Sequence, residues 1–196
     1  MEHTITKTEL RKRLRAARKA HVLAQPDIVR GLLFHRPPAP LMASIPAGAV
    51  IGLYHASEFE APASGYARIF AERGHPLALP RFTGANTAMQ FCAFTDPFAE
   101  TDLEEGPFGI MQPAGEPGEL VPDIVFAPLI GFTASGTRLG QGGGHYDRWL
   151  TEHPGTRTVG LAWDVQLVEP DSALPTEPHD VALDCIVTPT RMYGNL

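Results

Sequence analysis

The sequence predicts an α/β fold, a single domain with a mostly parallel sheet flanked by helices. Three observations lead there. Apolar, strand-like runs at residues 49–54 (AVIGLY) and 123–132 (DIVFAPLIGF) alternate with helix-compatible stretches, the layout of βαβ units. A glycine loop, Gly140-Gln141-Gly142-Gly143-Gly144, stands between the second run and a helix-compatible segment at residues 146–150. The length of 196 residues falls within the ~100–200 expected of one domain, so residues 1–196 are read as one unit.

Composition narrows the function classes. The net charge of −6 offers nothing to a nucleic acid or an anionic membrane. Gly and Pro number 19 each, nearly a fifth of the chain against an average of about 12%. They are spread among apolar runs, which indicates loop-rich α/β structure rather than disorder. Cys92 and Cys185, the only cysteines, lie in apolar runs without C-x-x-C spacing, so no disulfide framework is expected. No apolar run has the length of a membrane helix, and the start does not read as a signal peptide. A cytoplasmic, monomeric protein is the expectation.

Taken in order, the chain begins with a basic helix. Thr6 and Glu9 form a T-x-x-E capping box, which starts the helix at Lys7. Helical spacing puts Lys7, Arg11, Arg15 and Arg18 on one face and Leu10, Leu14 and Ala17 on another. A solvated basic face is one reading; an edge that lends Lys7 and Arg11 to a polyphosphate is the other. Residues 35–46 are Pro-rich and read as a loop. Residues 49–54 form a buried strand, and residues 55–60 the loop after it. Loops at strand C-termini carry ligands in α/β proteins, so Glu58 is a candidate for bonding a polar ligand. Residues 64–73 form a helix with Tyr66, Ile69 and Phe70 on one face and a glycine stop at Gly74. Residues 77–80 and 89–94 are strands, residues 95–105 acidic and irregular, and residues 106–110 a turn. Residues 158–163 and 185–188 are the last strands.

The glycine loop carries the chemistry. Glycines allow positive φ and close approach to a ligand. The free N–H groups of the following helix turn then face an anion, with the helix dipole behind them. Arg138 and Arg148 bracket the loop and can offer bidentate donors to phosphoryl oxygens. Asp147 is a hard oxygen ligand suited to Mg²⁺, and Asp180 is a second carboxylate able to share its coordination sphere. The loop is neither a Walker A sequence nor a dinucleotide fingerprint; a tight turn entering a helix is the plain alternative. His145, His153 and His179 have no metal-motif spacing, and no nucleophile elbow is present.

The residues Arg138-Leu139-Gly140-Gln141-Gly142-Gly143-Gly144-His145-Tyr146-Asp147-Arg148 resemble the R-L-G-x-G-x-G-Y-Y-D-R signature of the 5-formyltetrahydrofolate cyclo-ligase family. Lys7-Thr8-Glu9-Leu10-Arg11 resembles its K-x-x-L-R, and Glu58-Phe59-Glu60 its E-I-[DE]. Residues 106–113, GPFGIMQP, are similar to G-x-F-G-I-x-E-P. Gln166, Pro175, His179 and Asp180 follow its Q…P…H-D order. The likeness spans nearly the whole chain in order. It implies a fold related to the sugar-phosphate isomerase and CoA-transferase scaffold. It also implies ATP held by Lys7, Arg11, Arg138, Leu139, Gly140, Gln141, Gly142, Gly143, Gly144, His145 and Tyr146, with Mg²⁺ at Asp147 and Asp180. A reduced folate is implied near Leu53, Glu58, Gln141, Gly142, Gly143, Gly144 and His145, with Lys7, Arg138 and Tyr146 in catalytic roles.

Three positions depart from the pattern: His145 where a tyrosine is usual, Gln112 for the glutamate of the E-P pair, and Thr133 where an aspartate is common. The implied reaction is ATP- and Mg²⁺-dependent conversion of 5-formyltetrahydrofolate to 5,10-methenyltetrahydrofolate, through phosphorylation of the formyl oxygen and attack by N10. The other readings are an ATP-binding relative acting on a non-folate substrate and a non-catalytic nucleotide-binding protein.

Overall fold

The computed structural model describes residues 6–84, 87–170 and 174–194. The strands are β1 (Ile51–Gly52), β2 (Leu77–Arg81), β3 (Gln90–Ala93), β4 (Leu103–Glu105), β5 (Met111–Pro113), β6 (Ile124–Pro128), β7 (Gly131–Phe132), β8 (Arg138–Leu139), β9 (Arg157–Leu161), β10 (Cys185–Val187) and β11 (Met192–Gly194). The helices are α1 (Lys7–Ala24), α2 (Asp27–Leu32), α3 (Ala39–Ser44), α4 (Ser64–Glu72) and α5 (His145–Glu152). A seven-stranded sheet runs β11-β10-β9-β6-β1-β2-β3. Its central pairings, β2–β1–β6–β9–β10, are parallel; the two edges, β3 and β11, are antiparallel.

Strand β6 shows why the sheet is covered on both faces. Side chains alternate across a strand, and Ile124 and Phe126 join one apolar cluster while Val125 and Ala127 join another. On the first face, Tyr66 and Phe70 of α4 meet Phe126 at ring-centroid distances of 5.7 and 5.5 Å. On the second, Trp149 and Leu150 of α5 pack beside Phe91. The crossover from β1 to β2 therefore uses one face, and that from β6 to β9 uses the other. The adjacent C-terminal ends of β1 and β6 lie at such a reversal, where open α/β sheets form a ligand crevice. The loop after β1 and the glycine loop downstream of β6 both lead from this place.

Helix α1 begins at the expected capping box, with Thr6 and Glu9 bonding each other's backbone N–H groups. Its buried side is Leu10, Leu14, Arg18 and Val22. This corrects two expectations: Ala17 is exposed and Arg18 is buried. Arg18 follows Leu14 by one turn, and its guanidinium donates to the Leu129 carbonyl at 3.3 Å. Helix α4 ends as expected, with Gly74 at a φ of +79°.

Other segments differ from the sequence reading. Residues 35–46 contain α3, because Pro38 is placed as a helix N-cap. The acidic stretch contains β4, which pairs with β5 in a separate hairpin. Arg81 holds that hairpin by donating to Glu104 and to the carbonyls of Pro113 and Gly115. The strand-like run 123–132 divides into β6 and β7, while β8 and β11 were not expected as strands. Cys92 and Cys185 are buried free thiols. Among the described residues, no helix is long and apolar enough to cross a membrane.

Gln166 ties β6 to the segment after β9. Its side chain is 1% exposed; Oε1 accepts from the Trp163 N–H at 2.8 Å, and Nε2 donates to the carbonyls of Leu129 and Ile130 at 2.7 and 3.0 Å. Gln166→Leu removes the partner of the Trp163 N–H and of the Ile130 carbonyl and leaves the Leu129 carbonyl with Arg18 alone. The expected loss is about 1–3 kcal/mol, measured by denaturant unfolding.

Candidate functional site

A cleft of about 560 Å³ opens where the reversal in topology predicts it. Lys7, Arg11 and the glycine loop line it together with Phe82, Phe108 and His145, and the His145 ring sits against Gly143 of the loop. A second cavity of about 450 Å³ adjoins it, and the two share Tyr54, His55, Ser57 and Glu60.

The loop takes its shape from its glycines. Gly142 and Gly144 have φ of +111° and +62°, which L side chains rarely adopt. A Cβ on Gly143 would come within 2.7 Å of the His145 ring. The carbonyls of this loop are drawn outward by arginines. Arg11 Nε donates to the Gly140 carbonyl at 2.9 Å, Arg15 to that of Gln141 at 3.2 Å, and Arg148 to that of Gly143 at 2.9 Å. Gly144 caps α5 in the left-handed conformation with no side-chain bond to the first turn. The first N–H groups of α5 therefore lack helical partners, and an anion is their natural partner.

Arg138 differs from its expected part. Its side chain is 4% exposed and bonds Asp147 Oδ1 at 2.6 Å and the Val181 carbonyl at 2.9 Å. Val181 N–H donates to the same Asp147 oxygen at 3.1 Å. Burial lowers the affinity of this guanidinium for its proton, and Asp147 opposes that shift. Arg138 is thus a tie between the two ends of the loop, and it also lines the cleft.

Lys7 reaches across the cleft mouth. Its Nζ lies 2.6 Å from Glu177 Oε2 and 2.7 Å from Asp180 Oδ2. Burial by itself would lower the Lys7 pKa, but the bonds to Asp180 and Glu177 outweigh it and hold the ammonium above its ordinary value. Glu177, His179 and Asp180 present ligand atoms within 4.8 Å of one another. Asp147 is not in that group; it lines the same cleft with Oδ1 engaged as above.

The expected folate residues divide between the cavities. Leu53 is buried and Glu58 is exposed, and both line the smaller cavity. Gln141, Gly142, Gly143, Gly144 and His145 line the larger one. The carboxylate at the junction is Glu60, which accepts from Ser57 N–H and from Gln141 Nε2, each at 2.9 Å, with Arg18 3.9 Å away. The sequence reading passed over Glu60, although it ends the same E-F-E triplet. It also passed over the roles of Phe82 and Phe108, whose meeting depends on the β4–β5 hairpin.

Tyr146 lies against Phe91. Burial, and then the nearby Glu60 charge, push its phenol well above the ordinary value, so it is a hydroxyl donor and not a base. His145 accepts at Nδ1 from Arg148 at 3.0 Å, which assigns its proton to Nε2. Burial and then Arg148 lower its pKa, keeping the ring neutral. Thr133 lies in the β7–β8 turn, where its hydroxyl accepts from the Thr137 N–H at 3.2 Å.

The fold and this cleft define an α/β protein whose one crevice is lined by basic side chains, a glycine loop and aromatic rings. The chain belongs to the 5-formyltetrahydrofolate cyclo-ligase family, whose sequence profile matches residues 3–189. It is 45% identical over 73 residues to the 5-formyltetrahydrofolate cyclo-ligase of Escherichia coli (strain K12), covering 36% of this chain and 38% of that protein. It is 41% identical over 90 residues to that of Haemophilus influenzae, covering 43% and 46%. These matches span less than half the length of either relative. The NMR structure of Aquifex aeolicus 5,10-methenyltetrahydrofolate synthetase superposes with a TM-score of 0.74 at 26% identity, over 97% of this chain and 93% of that one. The Mycoplasma pneumoniae synthetase shares the fold, with a TM-score of 0.68 at 21% identity over 93% and 98%.

The Lys7 cluster gives a pH prediction. The Lys7 bond lowers the Glu177 pKa, and for Asp180 the bonds from Lys7 and the Glu177 N–H outweigh the upward push of burial. A depressed carboxyl stabilises the fold above its unfolded pKa and ceases to do so as pH falls through its folded one. Stability should therefore drop on acidification below the ordinary values of 4.5 and 3.8. Lys7→Met should flatten that acid limb in thermal unfolding.

Proposed function

We propose that this chain is an ATP- and Mg²⁺-dependent 5-formyltetrahydrofolate cyclo-ligase, forming 5,10-methenyltetrahydrofolate with release of ADP and phosphate. The observation that carries the reading is one cleft lined by two unlike sets of groups. Lys7, Arg11 and unbonded loop amides suit a triphosphate, and Phe82, Phe108 and His145 suit a flat heterocycle. Family membership supplies the substrate pair, since the A. aeolicus relative is a 5,10-methenyltetrahydrofolate synthetase by name.

The chemical difficulty is that a formamide oxygen leaves poorly. In the proposed reaction that oxygen attacks the γ-phosphoryl group and ADP departs. N10 then attacks the activated carbon, N10 loses its proton, and the oxygen leaves as phosphate. The protein positions and neutralises, as in other phosphoryl transfers. Lys7 and Arg11 draw charge from the transferring phosphoryl group, and the first-turn amides of α5 hold phosphate oxygens. Arg138 acts here by fixing the loop, and Tyr146 by donating its hydroxyl proton in a hydrogen bond.

The residues around Lys7 fit a hard divalent cation: Asp180 and Glu177 offer carboxylate oxygens in one cluster, and Asp147 faces the same cleft. We assign Mg²⁺ to Asp180 and Asp147, where it would neutralise phosphate charge. Lys7 supplies positive charge to Asp180 in the free chain.

The test is purified protein with 5-formyltetrahydrofolate, ATP and Mg²⁺, followed by the near-ultraviolet absorbance of the methenyl product. The signal should require all three. Lys7→Ala should lower kcat by about 10²–10³-fold, the usual cost of a lost charge-stabilising group. ATP binding without product would contradict the reading and favour a non-folate substrate.

A further inference from the structure

We infer that Gln112 is a positioning residue for the substrate: its amide sets the aromatic lining of the cleft by bonding both backbone groups of Phe82. The inference rests on the proposed folate reaction and names a residue that governs binding of its flat ring. Gln112 is 5% exposed. Its Oε1 accepts from the Phe82 N–H at 3.0 Å, and its Nε2 donates to the Phe82 carbonyl at 3.2 Å. The carboxamide thus acts as a neighbouring strand's peptide group would.

This substitution occurs where the sheet runs out. The β2–β3 pairing ends at Arg81↔Gln90, so Phe82 has no strand partner. Gln112 comes from the β4–β5 hairpin, which is a separate two-stranded sheet. Gly106 of that hairpin makes room for the amide, since a Cβ there would lie 2.4 Å from Oε1. The consequence is geometric. The hairpin carries Phe108 and β2 leads to Phe82, and their rings meet at 5.0 Å and 88°. His145 of α5 meets them at 4.8 and 5.5 Å. One amide therefore sets the spacing of three rings contributed by three elements, which together form an aromatic lining suited to a flat heterocycle.

An amide meets both needs of Phe82 at every pH. An ionised carboxylate accepts but cannot donate; a protonated carboxyl does both. The charged groups facing this position are Arg81 from β2, Glu104 opposite Gln112 in the hairpin register, Glu105 beside it, and the titratable His145 beyond Phe82. Arg81 favours an ionised carboxyl there, and Glu104 opposes one.

The experiment compares wild type, Gln112→Met and Gln112→Glu in the methenyl assay across pH, with KM for 5-formyltetrahydrofolate, KM for ATP and kcat resolved. Gln112→Met keeps the length but removes both bonds. It should raise the folate KM by roughly tenfold, the scale of a lost buried bonding pair, while kcat at saturation and the KM for ATP stay near wild type. Gln112→Glu should approach the wild-type folate KM at the acid end, where the carboxyl is protonated, and exceed it increasingly as pH rises. That wave should be missing from wild type. If Gln112→Met fails to fold, the pH series of Gln112→Glu decides. An active wild type with unmoved folate KM in Gln112→Met, or a Gln112→Glu profile parallel to wild type, overturns the inference alone. A wild type that forms no methenyl product overturns the functional reading and this inference with it.

Discussion

The triangle of the buried Arg138 with the half-buried Asp147 and Val181 is the constraint on which the cleft depends. Arg138 stands before the glycine loop, Asp147 three residues after it, and Val181 next to Asp180. One guanidinium therefore closes the loop onto itself and fastens the acidic segment beside it. Such a pair adds little net stability against an apolar alternative, but removing the partly exposed Asp147 strands a buried guanidinium, at a cost of up to about 3–5 kcal/mol. Its value lies in specifying one geometry. The short link leaves the five loop residues little freedom, so the helix start beyond them is held in one place.

Helix α1 completes the arrangement from outside. Arg11 and Arg15 take the carbonyls of Gly140 and Gln141, and Arg148 takes that of Gly143. Among the described residues, no protein group accepts from the N–H groups of Gly142, Gly143, Gly144, His145, Tyr146 or Asp147. With carbonyls bound and amides unspent, the loop presents donors, and the same helix adds the Lys7 ammonium. Preorganised donors cost no reorganisation when charge develops. Glu60 extends the network to the loop after β1 through Gln141, so the two cavities share one wall.

Legibility in the sequence followed the range of the forces involved. The capping box at Thr6 and Glu9, the glycine stop of α4 and the strand–loop–helix order around residues 124–152 are local, and local residue types declare them. The parallel sheet followed from alternating apolar runs. Arg18 was misread because its burial depends on Leu129 and Glu60, which lie far along the chain. Arg138 carries the same residue type whether it faces a phosphate or the Asp147 carboxylate, and only the fold distinguishes these. The hairpin of β4 and β5 has two short strands, LEE and MQP, too short for a period to show. With it went the meeting of Phe82, Phe108 and His145. Glu58 and Glu60 are equivalent by composition; the packing of Arg18 and Gln141 put the second at the junction.

The central claim is that the glycine loop and the start of α5 hold the phosphates of the nucleotide. The most direct measurement is backbone amide NMR of the whole chain as a non-hydrolysable ATP analogue with Mg²⁺ is added. The account predicts the largest shifts at the amides of Gly142, Gly143, Gly144, His145 and Tyr146, with a matching change at the Lys7 ammonium. Saturable binding that leaves those amides unmoved, and shifts another surface instead, would contradict it.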